Sequence, residues 1–522
     1  MLVARHRDET EGPLRKFLAK HAATTTGTLA CFDRLLFKGH LPLGYPHAME
    51  VHLTLRKVLL KDWKPDVLQQ AERLKAHAHA AAEQAGRPYE YLESPVRKDE
   101  RARAIAARDR VTDGLVGVFG TIAPCRSFRL AYGQGRPTIR PAWRKCLFLY
   151  FYFLDRELGF CHARVQTWFP FTMQVYVNGH EWLARQMDKR GLRYRRLENA
   201  FLWLEDPGRV QRLADRLASL DWPSVLDRFA HRVNPLLRDE LKGYRYYWAT
   251  HQAEYATDVL FSSRTALRAL YGQLLRHATL GLRAEDVLTF LGRKLHGGFA
   301  GEILNEWKRR WPGARVKHWM KGNWITMYDQ HGCILRVETV INAPYEFKVR
   351  RRAGRRGRRT LGWHPLPKGV AFLPRYATVS AAANQRYLEA LAVVDDPAPA
   401  HRALDRLVEP VRDAHGRSSR AFNPAAVPDL TFFTAVLRGE HTLQGFRNRD
   451  GRARLFGPTA ATDHRRGPQV SRLVKRLHLR GLVAKIPRSR RWRITQLSHT
   501  VLSAAVHLRE EDFPTAFLKA AA

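Results

Sequence analysis

Acidic residues are scarce in this chain of 522 residues, where 49 Asp and Glu stand against 89 Lys and Arg and give a formal net charge of +40. Such a charge attracts polyanions, namely nucleic acid or an anionic membrane surface. Hydrophobic residues make up 45% and aromatic residues 11% of the chain, which excludes global disorder. At about 150 residues per domain, the length predicts three or four domains, or two large ones.

Cysteine is also rare, and the five residues form no CxxC pair, so a structural zinc site is not expected. No apolar run approaches the roughly 20 residues of a membrane-spanning helix, and we expect no membrane partner. The first residues lack the apolar core of a signal peptide, so a cytoplasmic location is predicted. The chain also lacks a P-loop, a dinucleotide fingerprint and a GxSxG motif, which leaves NTP hydrolysis and α/β-hydrolase chemistry without support.

The order of strand-like and helix-like segments predicts a multidomain α+β protein, with a large N-terminal α+β core and a C-terminal winged helix-turn-helix domain. The predicted divisions are a flexible lead-in at 1–28, an α+β core at 29–315, a hairpin, basic arm and helical linker at 316–415, and a winged helix-turn-helix at 416–522. Within the core we expect a helix over about 46–85, a β-hairpin over 148–168, and mostly helix over 220–310, including the segment EYATDVLF.

A second β-hairpin is predicted at 324–328 and 333–341, where β-branched residues flank a short polar turn. The segment 348–359 follows, with eight Lys or Arg in twelve positions, and we expect a mobile basic arm that contacts nucleic acid. Its predicted contact residues are Lys348, Arg350, Arg351, Arg352, Arg355, Arg356, Arg358 and Arg359.

The C-terminal pattern is typical of a winged helix-turn-helix. Helices are expected over 429–438 and 442–456 and from Gln469, followed by two short strands around a wing at 487–491. A recognition helix lies in the major groove and a wing grips the neighbouring backbone, so this arrangement predicts DNA binding, with RNA as a possible partner. The predicted contact residues are Arg472, Lys475, Arg476, Arg480, Arg488, Arg490 and Arg491.

The hairpin at 324–341 carries a set of residues that could perform phosphodiester chemistry. Asp329 and Glu338 are predicted to hold Mg²⁺, with Tyr328 as a candidate nucleophile and Lys317 or Arg336 as stabilisers of the charged transition state. The alternative is structural, because Arg336 and Glu338 could form an exposed cross-strand ion pair and Tyr328 could belong to the core.

Other acids remain open as metal ligands. Asp33, Asp155 and Asp258 could complete a metal cluster, although acids in such positions mostly cap turns or pair with buried arginine. His180 is expected to cap a helix more readily than to transfer protons. The order Asp329 followed by Glu346 and Lys348 offers a second nuclease pattern, an acid with a downstream ExK.

Three strings carry a resemblance: the segment VKHWMKGNWITMYDQHGCILRVETVIN, the segment CHARVQTWFPFTMQVYVNGHEWLA, and EYATDVLF, together with the C-terminal pattern. The chain resembles a group of uncharacterised bacterial proteins associated with mobile elements, whose motif reads IKMYDKxGxxLRIETT. Locally, MYDQ followed by LRVE is similar to a hairpin of rolling-circle replication initiators, in which a tyrosine and metal-binding acids nick DNA. The chain departs from both patterns at Gln330, where lysine is expected.

The sequence therefore predicts a DNA-binding protein of mobile-element type that performs metal-dependent nicking, cleavage or strand transfer, like an endonuclease, transposase or replication initiator. The alternative is a protein without enzymatic activity, either a winged-helix transcriptional regulator or an RNA-binding component of a ribonucleoprotein. A regulator would not need the 350 residues that precede the predicted winged helix, which favours the enzyme.

Overall fold

The computed structural model describes residues 14–132, 137–282, 284–292, 303–310, 313–354, 360–392, 394, 400–437, 445–457, 464–487, 489–514 and 517–518. The chain folds into one long mixed sheet with helices packed against it, followed by a helical C-terminal region with a small hairpin.

Extended segments with β-branched and aromatic residues form the strands. The strands are β1 (Thr25–His40), β2 (Tyr89–Tyr91), β3 (Gly114–Ala131), β4 (Thr138–Asp155), β5 (Gly159–Gln166), β6 (Met173–Asn178), β7 (Tyr194–Leu197), β8 (Ala200–Leu204), β9 (Tyr247–Phe261), β10 (Ile303–Arg310), β11 (Gly313–Met320), β12 (Asn323–Gln330), β13 (Ile334–Ile341), β14 (Lys348–Ala353), β15 (Thr360–Pro365), β16 (Val411–Arg412), β17 (Ser418–Ser419), β18 (Val483–Lys485) and β19 (Trp492–Ile494).

Eleven of these described strands form the main sheet in the order β10-β11-β12-β13-β9-β1-β6-β5-β4-β3-β2. All neighbours are antiparallel except β2 and β3. The two halves of the sheet repeat one plan. In the first half, β1 is followed by helices and then by the meander β3 to β6, whose last strand pairs with β1. In the second half, β9 is followed by helices and then by the meander β10 to β13, whose last strand pairs with β9. The antiparallel pair β1 and β9 joins the halves.

Helices connect and cover the strands. They are α1 (Leu14–Lys20), α2 (Pro46–Leu55), α3 (Trp63–Gln84), α4 (Lys98–Arg108), α5 (Gly179–Asp188), α6 (Pro207–Ala214), α7 (Trp222–Val233), α8 (Arg264–Arg276), α9 (Ala284–Phe290), α10 (Leu373–Leu391), α11 (Ala400–Val408), α12 (Val427–Leu437), α13 (Asn448–Phe456), α14 (Gly467–Leu479) and α15 (Gln496–His507).

The two faces of the sheet differ because side chains alternate along a strand. On one face, Leu35 and Phe37 of β1 belong to a core that includes residues of α3 and α7, and the Phe37 and Trp222 rings lie 4.5 Å apart. In the other half of the sheet, Leu335 and Val337 of β13 pack in a core with residues of α8 and α10 on that same face. The opposite face carries polar side chains and positions the candidate site.

The structure confirms the mixed α and β class and both predicted hairpins, β4–β5 and β12–β13. The predicted helix over 46–85 is two helices, α2 and α3, separated by a break in which Lys57 adopts a positive φ. The predicted mostly helical segment 220–310 is wrong in two places, since it contains β9 and β10.

In β9, Glu254, Ala256, Asp258 and Leu260 alternate with residues of the opposite face. This two-residue period fits the centre of a sheet better than a helix.

The predicted boundary at 315/316 falls inside β11, so the hairpin β12–β13 belongs to the main sheet. The start of the predicted mobile basic arm is also ordered. Residues 348–353 form strand β14, which pairs with β15, and the burial of Val349, with partly buried residues at 351 and 353, sets its register. Residues 355–359 lie outside the described residues.

Candidate functional site

Three carboxylates meet on the polar face of the sheet. Oxygen atoms of Asp33, Glu254 and Glu338 all lie within 4.8 Å of one another, although the residues are far apart in sequence. Asp33 is 9% exposed and Glu338 is 8% exposed, whereas Glu254 is partly exposed and keeps the cluster open to solvent on its side. Hard divalent cations such as Mg²⁺ prefer oxygen ligands of this kind, and the residues fit that cation.

Strand pairing brings the three acids together. Glu338 of β13 lies opposite Ala256 of β9, and Glu254 lies two residues before Ala256 on the same face of β9. Glu254 is in turn opposite Arg34 of β1. The register between β1 and β9 shifts between Phe32 and Arg34, so Asp33 is the extra residue of a β-bulge. Bulges re-aim side chains, and this one accounts for an acid that joins the cluster from the middle of a strand.

A buried ion pair adjoins the cluster. Arg336 of β13 lies opposite Asp258 of β9, and its Nε and Nη2 donate to the two carboxylate oxygens of Asp258 at 2.6 and 2.7 Å. The same Nη2 donates to the carbonyl oxygen of Asn199 at 3.0 Å. Arg336 is 1% exposed, so this bidentate pair satisfies a guanidinium that would otherwise be costly to bury.

His180 connects the ion pair to the cluster. It lies at the start of α5 with no exposed surface, and its Nδ1 is 3.2 Å from Oδ1 of Asp33 while its Nε2 is 3.8 Å from Oδ2 of Asp258. Nη1 of Arg336 lies 3.5 Å from Oδ2 of Asp33. The Asn199 side chain donates to Asp33 and accepts from Asn178, the helix cap of α5. Asp33 is therefore held on several sides.

The pKa values of the carboxyls divide the site into two parts. Burial raises the pKa of Asp258, but the charge of Arg336 lowers it by more. The pKa of Asp258 therefore lies below its ordinary value. The pKa of Asp33 is lowered in the same way, because His180 and Arg336 outweigh burial. In contrast, burial and the nearby Glu338 raise the pKa of Glu254, and burial and the nearby Asp33 raise the pKa of Glu338.

Lys317 and Tyr328 flank the carboxylates on the same face. The Lys317 Nζ lies 3.4 Å from the ring centre of Trp319 and 3.7 Å from that of Trp324. Burial and the charge of Arg315 lower the pKa of Lys317 to about 8. The Tyr328 hydroxyl donates to Glu338 at 3.0 Å, and burial and Glu338 raise the pKa of Tyr328 well above its ordinary value. Tyr328 is partly buried, and its hydroxyl is bonded to a carboxylate that opposes its ionisation, which does not favour the predicted role of Tyr328 as a nucleophile.

The predicted metal pair of Asp329 and Glu338 is not brought together. Asp329 lies opposite Leu335 and Glu338 opposite Thr326, so the two acids point to opposite faces of the hairpin. Asp329 instead accepts a hydrogen bond at 2.9 Å from the amide of Gly332, which has a positive φ, and the acid caps the turn. In the predicted ExK pattern, Glu346 lies 3.6 Å from Lys321, just before the start of β12, whereas Asp329 lies near the end of that strand.

The predicted structural alternatives are resolved residue by residue. Arg336 pairs with Asp258 rather than with Glu338, and it is buried rather than exposed. Asp155 caps the turn of the β4–β5 hairpin by accepting from the amides of Glu157 and Leu158. Asp33 alone among the three open acids joins the cluster.

A cationic cleft of about 820 Å³ opens on the same face of the sheet. It contains Lys38, Arg126, Arg164 and Lys368, and no described acidic residue lines it. Burial and the charges of Arg164, Arg126 and Lys368 lower the pKa of Lys38. Among the described residues, none of the four cations forms an ion pair, so the positive charge of the cleft is uncompensated.

The cations of the C-terminal region have different environments. Arg472 is exposed and donates to the Pro468 carbonyl of its own helix, and Lys475 is 3.4 Å from Asp413. Arg476 stacks 3.8 Å from the Phe422 ring and donates to the carbonyl groups of residues 420 and 421.

Arg480 is 4% exposed and donates to carbonyl groups of residues 409, 419 and 420. Arg480 and Arg476 therefore hold the preceding segment against α14. Arg480 is buried and Arg476 is partly exposed, and because both bond within the chain they are poorly placed for the nucleic-acid contacts predicted for them. Arg490 and Arg491 follow β18, whereas Arg488 lies outside the described residues.

Comparison of the chain with protein-family models, curated proteins and solved structures found no match. Among the described helices, none combines the length and the apolar composition needed to cross a bilayer.

Sequence reasoning missed Glu254 altogether. The available signal was the two-residue alternation of EYATDVLF, which places Glu254 and Asp258 on one face of a strand.

Proposed function

We propose that this chain is a DNA-binding enzyme that uses Mg²⁺ to nick or cleave phosphodiester bonds, with Asp33, Glu254 and Glu338 as the metal ligands. The observation that carries the proposal is the convergence of three carboxylates within 4.8 Å of one another beside an uncompensated cationic cleft. Three such acids repel one another, and a divalent cation would relieve that repulsion.

When bound, Mg²⁺ polarises a phosphodiester group and lowers the pKa of a coordinated water molecule. The side chains of the protein orient the metal ligands and supply positive charge. Arg336, His180 and Asn199 orient Asp33 by the contacts described above, which fixes one ligand before the cation arrives. Lys317 and Arg34 lie near Glu254 and supply positive charge where a phosphate would gain negative charge.

The C-terminal region supports duplex binding. Helix α14 is followed by the hairpin β18–β19, and exposed cations on this unit include Arg472 and Arg490. The order of helix, strand, wing and strand is that of a winged helix, whose recognition helix contacts base edges. We assign the unit to DNA positioning and leave Arg476 and Arg480 out of the interface because they bond within the chain. The resemblance to mobile-element proteins favours nicking or strand transfer as the outcome.

The rival proposal is a DNA- or RNA-binding protein without catalysis, and the basic C-terminal unit would serve it equally well. The two proposals differ in what the carboxylates do. Burial, together with the neighbouring carboxylates, raises the pKa of Glu254 and of Glu338, and such a cluster is costly for a protein that only binds nucleic acid, which favours the enzyme.

The test is incubation of supercoiled plasmid DNA with the full-length protein in Mg²⁺ or in EDTA. We expect nicked or linear product in Mg²⁺ alone, and we expect Glu254→Gln and Glu338→Gln to abolish it. Glu157→Gln is the matched control, because Glu157 is an exposed acid outside the cluster. Intact plasmid in every lane, together with tight DNA binding, would favour the protein without catalysis.

A further inference from the structure

The cationic cleft has features that the catalytic proposal leaves unexplained. It shares a face of the sheet with the carboxylates, since Arg34, opposite Glu254, and Lys38, which lines the cleft, are four residues apart on β1 with their side chains on one side. At about 3.3 Å per residue, the two positions lie about 13 Å apart, a length equal to about four stacked nucleotides. A nucleic-acid strand lying along β1 would therefore reach both the cleft and the carboxylate cluster.

Aromatic side chains surround the cleft. Trp143 is 69% exposed, Tyr45 is 74% exposed and Tyr247 is 63% exposed, and all three line it. Trp143 lies opposite Arg126, whose guanidinium carbon is 5.5 Å from the indole centre. Large exposed aromatic rings beside unpaired cations are the arrangement that holds nucleobases by stacking and backbone phosphates by charge.

The cleft distinguishes an unpaired strand from a duplex. The bases of a duplex stack on one another and present only their edges, so they cannot stack on Trp143 or on the tyrosines. A cavity of about 820 Å³ is the size of a ligand pocket, which suits a few unpaired nucleotides.

We infer that this cleft binds an unpaired segment of DNA and directs it toward the carboxylate cluster. The inference rests on the proposed function in one respect, because it identifies that strand as the substrate of the cluster. The contacts that we infer are the stacking of a base on Trp143 and the binding of phosphates by Lys38, Arg126 and Lys368. The cleft thus selects single strands, whereas the C-terminal unit binds duplex.

The test measures fluorescence anisotropy of a labelled twelve-residue oligothymidylate and of a duplex, with the full-length protein in EDTA so that no cleavage occurs. We expect Trp143→Ala to weaken oligothymidylate binding about 5- to 100-fold, the loss of one stacked base, and to leave duplex binding unchanged. Tyr132→Ala is the matched control, because Tyr132 is 80% exposed and does not line the cleft.

A second pair of variants tests the charge. Arg126→Gln should lower the salt dependence of oligothymidylate binding by about 0.7 in logarithmic slope, the release of one counterion from a single strand. Arg129→Gln is the control, since Arg129 is an exposed arginine of the same strand that does not line the cleft. Equal affinities for Trp143→Ala and Tyr132→Ala, or equal slopes for Arg126→Gln and Arg129→Gln, would overturn the inference.

The outcomes separate the inference from the proposed function. Selective loss of binding in Trp143→Ala without any Mg²⁺-dependent cleavage would remove the enzyme proposal and retain the single-strand site. Cleavage that persists while Trp143→Ala binds normally would remove the single-strand site alone.

Discussion

Asp258 and Glu254 lie four residues apart on one face of β9, yet their surroundings shift the carboxyl pKa values in opposite directions. Asp258 has a bidentate arginine partner, whereas Glu254 faces a second carboxylate, Glu338. The pair shows how to separate structural acids from candidate ligands at a buried site. An acid with its own bidentate cation stabilises the fold, whereas Glu254 and Glu338 face each other without such a partner among the described residues and are candidates to bind a cation.

The largest expected effect is on stability. Asp258→Asn should lower the free energy of unfolding by about 3–5 kcal/mol, because it removes the bidentate carboxylate partner of the buried Arg336 guanidinium and leaves the more distant Asp33. Glu254→Gln makes the same chemical change, but it removes one of three mutually repelling groups and should not lower stability in EDTA. Urea unfolding followed by circular dichroism measures both variants. Equal destabilisation by the two substitutions would contradict the division of the site.

The same comparison applies to the C-terminal arginines. Arg480→Gln should destabilise the protein by about 1–3 kcal/mol, since buried carbonyl groups lose their donor. Arg472→Gln should leave the unfolding transition unchanged and weaken duplex binding, with the salt slope reduced by about 0.9. Thermal melting and duplex titrations at several salt concentrations measure the two effects. A lower melting temperature for Arg472→Gln alone would reverse these assignments.

A smaller effect is expected from pH at the cleft. Burial, with the charges of Lys38, His251 and Lys368, lowers the pKa of His40 to about 4, so His40 is neutral in the free protein at pH 7. A bound phosphate would offset those charges and raise the pKa, and the complex would then take up a proton. Oligothymidylate affinity should therefore rise a few-fold as the pH falls from 7 to 5.

His40→Asn should reduce this increase and keep the affinity at pH 7. Anisotropy titrations across the pH range provide the measurement. An unchanged pH profile in His40→Asn would show that another group titrates.

The sequence predicted the parts of the fold that depend on local signals. The β12–β13 hairpin follows from β-branched residues around a polar turn, and α14 follows from the spacing of Val470, Val474 and Leu477, which are all buried. The site could not be predicted in the same way, because it depends on the pairing of β1 with β9 and of β9 with β13. No local pattern specifies which distant strands become neighbours.

The separation of Asp329 from Glu338 has a related cause. The alternation of side chains along the hairpin places Arg336 and Glu338 on one face and Asp329 on the other. The predicted pairing of Asp329 with Glu338 therefore required a turn geometry that the chain does not adopt. Asp33 entered the sequence reasoning as an acid in an apolar strand, but the bulge that turns it toward Glu254 becomes visible only in the register of β1 and β9.

The central claim is that Asp33, Glu254 and Glu338 hold one divalent cation, and calorimetric titration of Mn²⁺ into the full-length protein tests it most directly. The account predicts a saturable site that Glu254→Gln and Glu338→Gln abolish and that Glu157→Gln retains. Equal Mn²⁺ binding by all four proteins, or no saturable binding to the unsubstituted protein, would contradict it.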